Sequence, residues 1–262
     1  MKSFLLILGF FTRLPVPKTE FTEERYLKAV KLMPLVGLVI GAILVLAAFL
    51  LSLLAVPALI RGAIVLCVYI FLTGGLHFDG LADACDGVFS GRNREQALNI
   101  MKDSRIGVFG TLGIFLTGLF YFALFSEVHI TAILVFPVVG RACCLISASL
   151  APYARPDGMG KTTGKAGGPL SVAAAIVSVF GASILTLPLY MLFAEAGERS
   201  AALLAVVPFV CSLLAGVAAI IVTACFTATL KKRLGGVTGD TFGAVIEISS
   251  IVYLLVFLLL FA

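Results

Sequence analysis

Charge is what this sequence has least of. Asp, Glu, Lys and Arg together make up 13% of its 262 residues, against roughly a quarter in an ordinary soluble domain. With 61% hydrophobic side chains and a mean hydropathy of +1.14, that shortage excludes a soluble globular fold. Other features are missing too. No C-x-x-C pair occurs among Cys67, Cys85, Cys143, Cys144, Cys211 and Cys225, so a zinc or disulfide framework has no basis and the cysteines read as small buried residues. No period-two alternation supports a membrane β-barrel. No fixed-period repeat, low-complexity tract or long linker divides the chain, so residues 1–262 read as a single domain.

What the sequence does have is apolar runs of the length a bilayer requires. Crossing a hydrocarbon core of ~30 Å takes about 20 helical residues. Seven stretches qualify, near 34–54, 57–75, 107–125, 130–150, 170–193, 201–227 and 244–262. The expected fold class is all-α, a polytopic integral membrane bundle of seven transmembrane helices. The opening run Phe4 to Phe11 is too short to cross, and no small-residue cleavage site follows it. It is expected to lie on the membrane surface as an uncleaved segment.

The charges that remain are one-sided. Sixteen of the nineteen Lys and Arg residues fall in 1–31, 76–106, 151–169 and 228–243; the others are Arg61 and Arg199 at opposite span ends and Arg141 inside a span. By the positive-inside rule the N-terminus and the three basic loops are cytoplasmic and the C-terminus is outside. The net charge of +5 is then mainly a topology signal, and nucleic acid is not an expected partner. Glu127, Glu195 and Glu198 sit on the poorly charged side, whereas every Asp lies in a cytoplasmic segment. Any chemistry is expected to face the cytoplasm.

Within "FLTGGLHFDGLADACDGVFSGR", Phe71 to Arg92, Asp79, Asp83 and Asp86 stand inside eight residues. If the helix of the second span continues through them, their i, i+4, i+7 spacing puts all three on one face. Carboxylates so placed repel one another unless a cation lies between them, and oxygen-only ligands select Mg²⁺ or Mn²⁺ over zinc. Gly80 and Gly87 would let a substrate approach the backbone closely. The next segment supplies Asp103 as a fourth candidate ligand, with Arg92, Arg94, Lys102 and Arg105 nearby; Lys102 and Arg105 are the better placed for phosphate. Metal-holding acids beside fixed cations suit a diphosphate. His77 is a candidate base, and so are Asp83 and Asp86.

The remaining polar segments carry further candidates. Gly160-Lys161-Thr162 is not a P-loop, because Arg155 and Met159 stand where the first glycine is required. It belongs to a glycine-rich cationic loop, with Arg155, Lys161 and Lys165 suited to a phosphate-bearing ligand. Arg141, costly in lipid, is expected to face the bundle interior against an acid or a phosphate. Asp240 and Glu247, seven residues apart, share a helical face and are further candidates for the substrate site. His129, on the opposite side, reads as structural.

Five separated stretches together resemble the cobalamin synthase family (adenosylcobinamide-GDP ribazoletransferase): "FFTRLPVP", "GGLHFDGLADACDG", "MKDSRIGVFG", "YARPDGMG" and "GGVTGDTFGA", in order from Phe10 to Ala244. The resemblance implies a magnesium-dependent phosphotransferase of a bacterial or archaeal cytoplasmic membrane. Its substrates would be adenosylcobinamide-GDP and α-ribazole or its 5′-phosphate; its products would be adenosylcobalamin or its phosphate, and GMP. Membrane lipid surrounds such an enzyme, and a homo-oligomer or contacts with other corrinoid-pathway enzymes are open to it. Two rival readings are weaker. A CDP-alcohol phosphotransferase pattern matches at Asp83, Asp86 and Gly87 but meets Ile100 at its next glycine and Val108 at its last aspartate. A transporter would favour internal symmetry between halves, and none is evident.

Overall fold

The computed structural model describes residues 2–158, 160–193 and 204–261. Among the described residues the regular structure is helical, and the β-structure is limited to an isolated bridge between Tyr153 and Val237. The helices are α1 (Lys2–Phe11), α2 (Glu23–Val30), α3 (Met33–Leu53), α4 (Ala58–Thr73), α5 (Leu76–Phe89), α6 (Arg94–Ile100), α7 (Val108–Glu127), α8 (Ile130–Leu150), α9 (Gly160–Lys165), α10 (Pro169–Ile184), α11 (Thr186–Phe193), α12 (Val206–Leu234) and α13 (Gly239–Phe261).

Six helical stretches are long and apolar enough to cross a membrane: α3, α7, α8, α10 with α11, α12 and α13. α4 and α5 reach the length of a seventh only when counted together, and they meet at 89°. Here the structure corrects the sequence reading, because the second-span helix does not continue into the aspartates. Gly74 and Gly75 both adopt left-handed backbone, at φ 64° and 68°, a conformation that closes a helix and that only glycine enters freely. The Gly75 N–H donates back to the Ile70 carbonyl at 3.1 Å, ending α4, and α5 starts afresh across the end of the bundle. The aspartates therefore lie on a separate helix outside the crossing segments.

At the centre stands α8. Of its most apolar stretch 94% is buried, against 28–50% for the other five crossings, so it is surrounded by helices, not lipid. Small residues allow that packing: Gly37 and Gly41 of α3 press directly on the α8 backbone at Pro137 and Leu134, a close approach typical of membrane helices. At ten residues, α1 is too short to cross, as expected, and buries Ile7, Leu8 and Phe11.

The four basic segments meet at one end. The Arg13 N–H donates to Leu72 O at 2.8 Å and Arg94 Nη2 to Ala154 O at 3.2 Å. Tyr26 and Thr163 share a hydroxyl hydrogen bond of 3.0 Å, and Lys165 pairs with Glu23. Glu127 closes α7 at the other end, where the His129 side chain caps α8 by accepting from Thr131 N. Arg199, Glu195 and Glu198 lie outside the described residues.

Candidate active site

The short helix α5 owes its position to glycine. A side chain at Gly80 would run into the Asp240 backbone, and one at Gly243 into the backbone of His77 and Gly80. These contacts seat α5 tightly on the first turns of α13, which starts where Thr238 and Thr241 cap each other through backbone N–H to hydroxyl bonds of 2.7 and 3.2 Å. Gly80 is thus a helix-packing residue. So is Gly87, which fits against Met101 and Ala97, although Gly80 also lines a cavity.

The crossing brings Asp79 and Asp83 of α5 beside Asp240 of α13. Arg155, from the loop after α8, is the cation among them: its Nη1 lies 2.9 Å from Asp240 Oδ2, with side-chain exposures of 11% and 24%. One guanidinium does not balance three carboxylates. Burial, reinforced by Asp240 and then Asp79, pushes the Asp83 carboxyl up to about 6, with Arg155 acting in the opposite direction. Asp86 is differently engaged. Its oxygens accept from the Gly107 and Gly110 N–H groups at 2.7 and 2.8 Å, so it caps the N-terminus of α7 from a neighbouring helix.

A cavity of about 260 Å³ opens on this cluster, lined by Asp79, Asp240, Arg155, His77, Tyr153 and Tyr26, with Phe10 and Phe11 of α1 and the glycine-rich stretch at Gly158 and Gly160. A second hollow, of about 650 Å³, lies on the other side of Phe10, Leu76 and Asp79 and is lined by Arg13, Thr73, Gly74 and Gly75. Asp79 belongs to both. The aromatic residues and Arg13 were not candidates from sequence, although Phe10, Phe11, Arg13 and Tyr153 fall inside the quoted motifs; Tyr26 carries no such signal.

Other expected site residues lie apart. Asp103 and Arg105 pair with each other in the exposed loop before α7, at 2.7 Å between Oδ2 and Nη2, and Arg105 holds the Asp103 carboxyl down at about 2. Neither these two nor Lys102 lines the cavity. Lys161, in the first turn of α9 and outside the cavity lining, is held by Asp157 at 3.3 Å and by the Pro156 carbonyl. Arg141 and Glu247 are fully buried within the bundle. Glu247 accepts from Tyr69 at 3.0 Å and from Tyr121 at 2.6 Å, and Arg141 donates to Pro137 O at 3.0 Å. Neither lines the cavity; Ile246, Gly243 and Cys144 from the same helices do.

Among the described residues no group of three or more His, Cys, Asp and Glu side chains is drawn together closely enough to hold a metal on its own. The donor set still fits a hard divalent cation. Mg²⁺ is commonly bound by one or two carboxylates, completed by water and substrate phosphate, and Asp79, Asp83 and Asp240 offer only oxygen and an excess of negative charge.

Comparison with known proteins adds an independent line. A family model described as cobalamin-5-phosphate synthase matches residues 3–258. An adenosylcobinamide-GDP ribazoletransferase of Fusobacterium nucleatum is 38% identical, over 99% of this chain and 98% of its own length. Proteins of that name from Acetivibrio thermocellus and Escherichia coli are 36% and 35% identical, covering 99% and 98% of this chain and 98% and 99% of their own. No solved structure matches.

Proposed function

Because this chain belongs to the cobalamin-5-phosphate synthase family, we propose that it is the transferase joining adenosylcobinamide-GDP to α-ribazole or its 5′-phosphate, with release of GMP. The observation that carries this reading is the set of Asp79, Asp240 and Arg155 lining a cavity on the basic end of the bundle, with Asp83 beside them though not in the cavity wall. That end faces the cytoplasm on this reading, since sixteen of nineteen basic residues lie there.

In the reaction a ribazole hydroxyl oxygen forms a bond to the phosphorus attached to cobinamide, and the bond from that phosphorus to the GMP oxygen breaks. Mg²⁺ bound to the diphosphate would neutralise its charge. Asp79, Asp83 and Asp240 are the residues that would hold the cation. Arg155 and Lys161 flank the cavity and take up charge on the departing nucleotide, as fixed guanidinium and ammonium groups do without reorganising. The proton of the attacking hydroxyl passes to a carboxylate of the cluster; His77 lines the cavity but keeps both ring nitrogens buried. Asp86 contributes by tying α5 to the start of α7.

Purified protein in detergent, given adenosylcobinamide-GDP, α-ribazole and Mg²⁺, should release GMP and form a base-on corrinoid. D83N should abolish turnover and leave membrane insertion intact. Well-folded wild-type protein that forms no product under these conditions overturns the assignment.

A further inference from the structure

The hollow of about 650 Å³ and the Arg13 that lines it are not used by the reaction as proposed. Its size is that of a site for a drug-sized ligand, for which cavities run about 300–1,000 Å³. Phe10, Leu76 and Asp79 line both spaces, so they form the partition between this hollow and the cavity that holds Arg155. Arg13 is anchored on the bend after α4. Its backbone N–H donates to Leu72 O at 2.8 Å. Its guanidinium lies against bare backbone at Gly74, where a side chain would run into Nε. Among the described residues no carboxylate forms an ion pair with it. Phe78 and Ile114 give the same hollow an apolar wall. A free guanidinium beside apolar side chains suits a ligand that carries a phosphate at one end of a largely apolar body.

We propose that the Arg13 hollow is the acceptor subsite, and that the Arg13 guanidinium binds the phosphate of a phosphorylated ribazole. The inference rests on the transferase reading. In an in-line displacement the attacking and leaving oxygens lie on opposite sides of the phosphorus. A diphosphate held at Asp79 sits at the partition, so the two groups need one space on each side of it. On one side Arg155, Tyr26 and Tyr153 line the cavity and offer the departing nucleotide a cation and aromatic faces. On the other side the hollow offers the acceptor Arg13 and an apolar wall for its base. The attacking hydroxyl then reaches the partition from the Arg13 side, while the acceptor's own phosphate stays in the hollow and takes no part in bond making. A phosphorylated ribazole brings extra negative charge toward Asp79, and Arg13 offsets it. Arg13 is thus the residue that lets the hollow take the phosphorylated acceptor as well as the free one. A lipid headgroup carries the same phosphate chemistry and is the competing source.

The ratio of kcat/KM for α-ribazole 5′-phosphate to that for α-ribazole measures this preference. R13M should lower the ratio about 10- to 100-fold, the scale of one hydrogen-bonded contact between charged groups, through a higher KM for the phosphorylated acceptor. R13K, which keeps the charge without the planar fork, should lower it less. Turnover of α-ribazole by the same preparation reports that the variant is folded. Equilibrium dialysis of α-ribazole 5′-phosphate, with Mg²⁺ and no donor, reads binding without turnover. It is run on wild type and R13M in detergent and in phosphatidylcholine vesicles with and without phosphatidylglycerol. R13M should bind the phosphorylated acceptor about 10- to 100-fold more weakly in all three. Equal binding by the two proteins, an unchanged acceptor ratio, or a raised KM for adenosylcobinamide-GDP in its place overturns the acceptor subsite. Binding that phosphatidylglycerol abolishes assigns Arg13 to a lipid headgroup and overturns it as well. A wild type that uses neither acceptor, yet binds the phosphorylated one through Arg13, removes the transferase reading and leaves the phosphate site standing.

Discussion

Replacing Asp86 by alanine tests whether the third aspartate serves structure before chemistry. Its two oxygens take the N–H groups of Gly107 and Gly110 at 2.7 and 2.8 Å, and its exposure is only 9%. Gly107 brings no side chain to cap α7, so nothing local replaces the lost acceptor. A buried N–H left without a partner costs about 1–3 kcal/mol, and losing an N-cap about 0.5–2 kcal/mol. With Gly110 N buried and Gly107 N half-exposed, D86A should lose about 3 kcal/mol. The damage should centre on the segment just before α7, where Lys102 and Arg105 are exposed. Two assays in detergent follow: the apparent midpoint of helix loss on heating, which should fall by several degrees, and limited trypsin digestion, which should cut after Lys102 and Arg105 faster than in wild type. D83N provides the contrast, with wild-type digestion and no turnover. A D86A protein that melts and digests like wild type refutes the capping argument.

Other outcomes follow from the same geometry. In metal-free protein Asp83, raised from 3.8 to about 6, binds its proton more tightly folded than unfolded. Its contribution to stability is therefore fully present below pH about 4 and is lost as pH rises through about 6. With chelator present, D83N should melt higher than wild type at pH 8 and no higher at pH 4, and an equal difference at both would contradict this. G80A, whose methyl group would meet Asp240 O at 2.8 Å and Asp240 Cα at 3.0 Å, should push α5 off α13. It should reduce kcat more than it reduces the melting temperature; unchanged kinetics would show that the seating of α5 is not needed.

Hydropathy made the bundle legible because crossing a bilayer imposes a length that survives in the sequence. Six of the expected spans coincide with helical stretches to within several residues, and α12 overruns its expected end to carry Lys231, Lys232 and Arg233 on its last turn, where basic side chains favour the helix dipole. The bend after α4 was hidden, since two glycines at the end of an apolar run barely change its hydropathy although both take left-handed backbone. The spacing of Asp79 and Asp83 was readable because it is local. That Asp240 joins them, that Arg155 pairs with Asp240 and that Asp86 caps α7 are facts of tertiary approach, to which helical periodicity is blind. Glu247 showed itself as an intramembrane acid but not that two tyrosines hold it away from the cavity.

The burial of α8 has a consequence for how the chain is made. Arg141 sits at its middle, and an arginine at mid-bilayer costs about 2.5–3.5 kcal/mol on insertion scales. The carboxylate whose charge reaches it belongs to α13, which is synthesised well after α8, and α10 and α12 must also arrive before α8 is enclosed. Until then the growing protein carries an uncompensated cation in a helix with no finished surroundings. A chain truncated before α13 would keep that cation permanently, so the arrival of α13 is the step at which the surroundings of α8 become electrically complete.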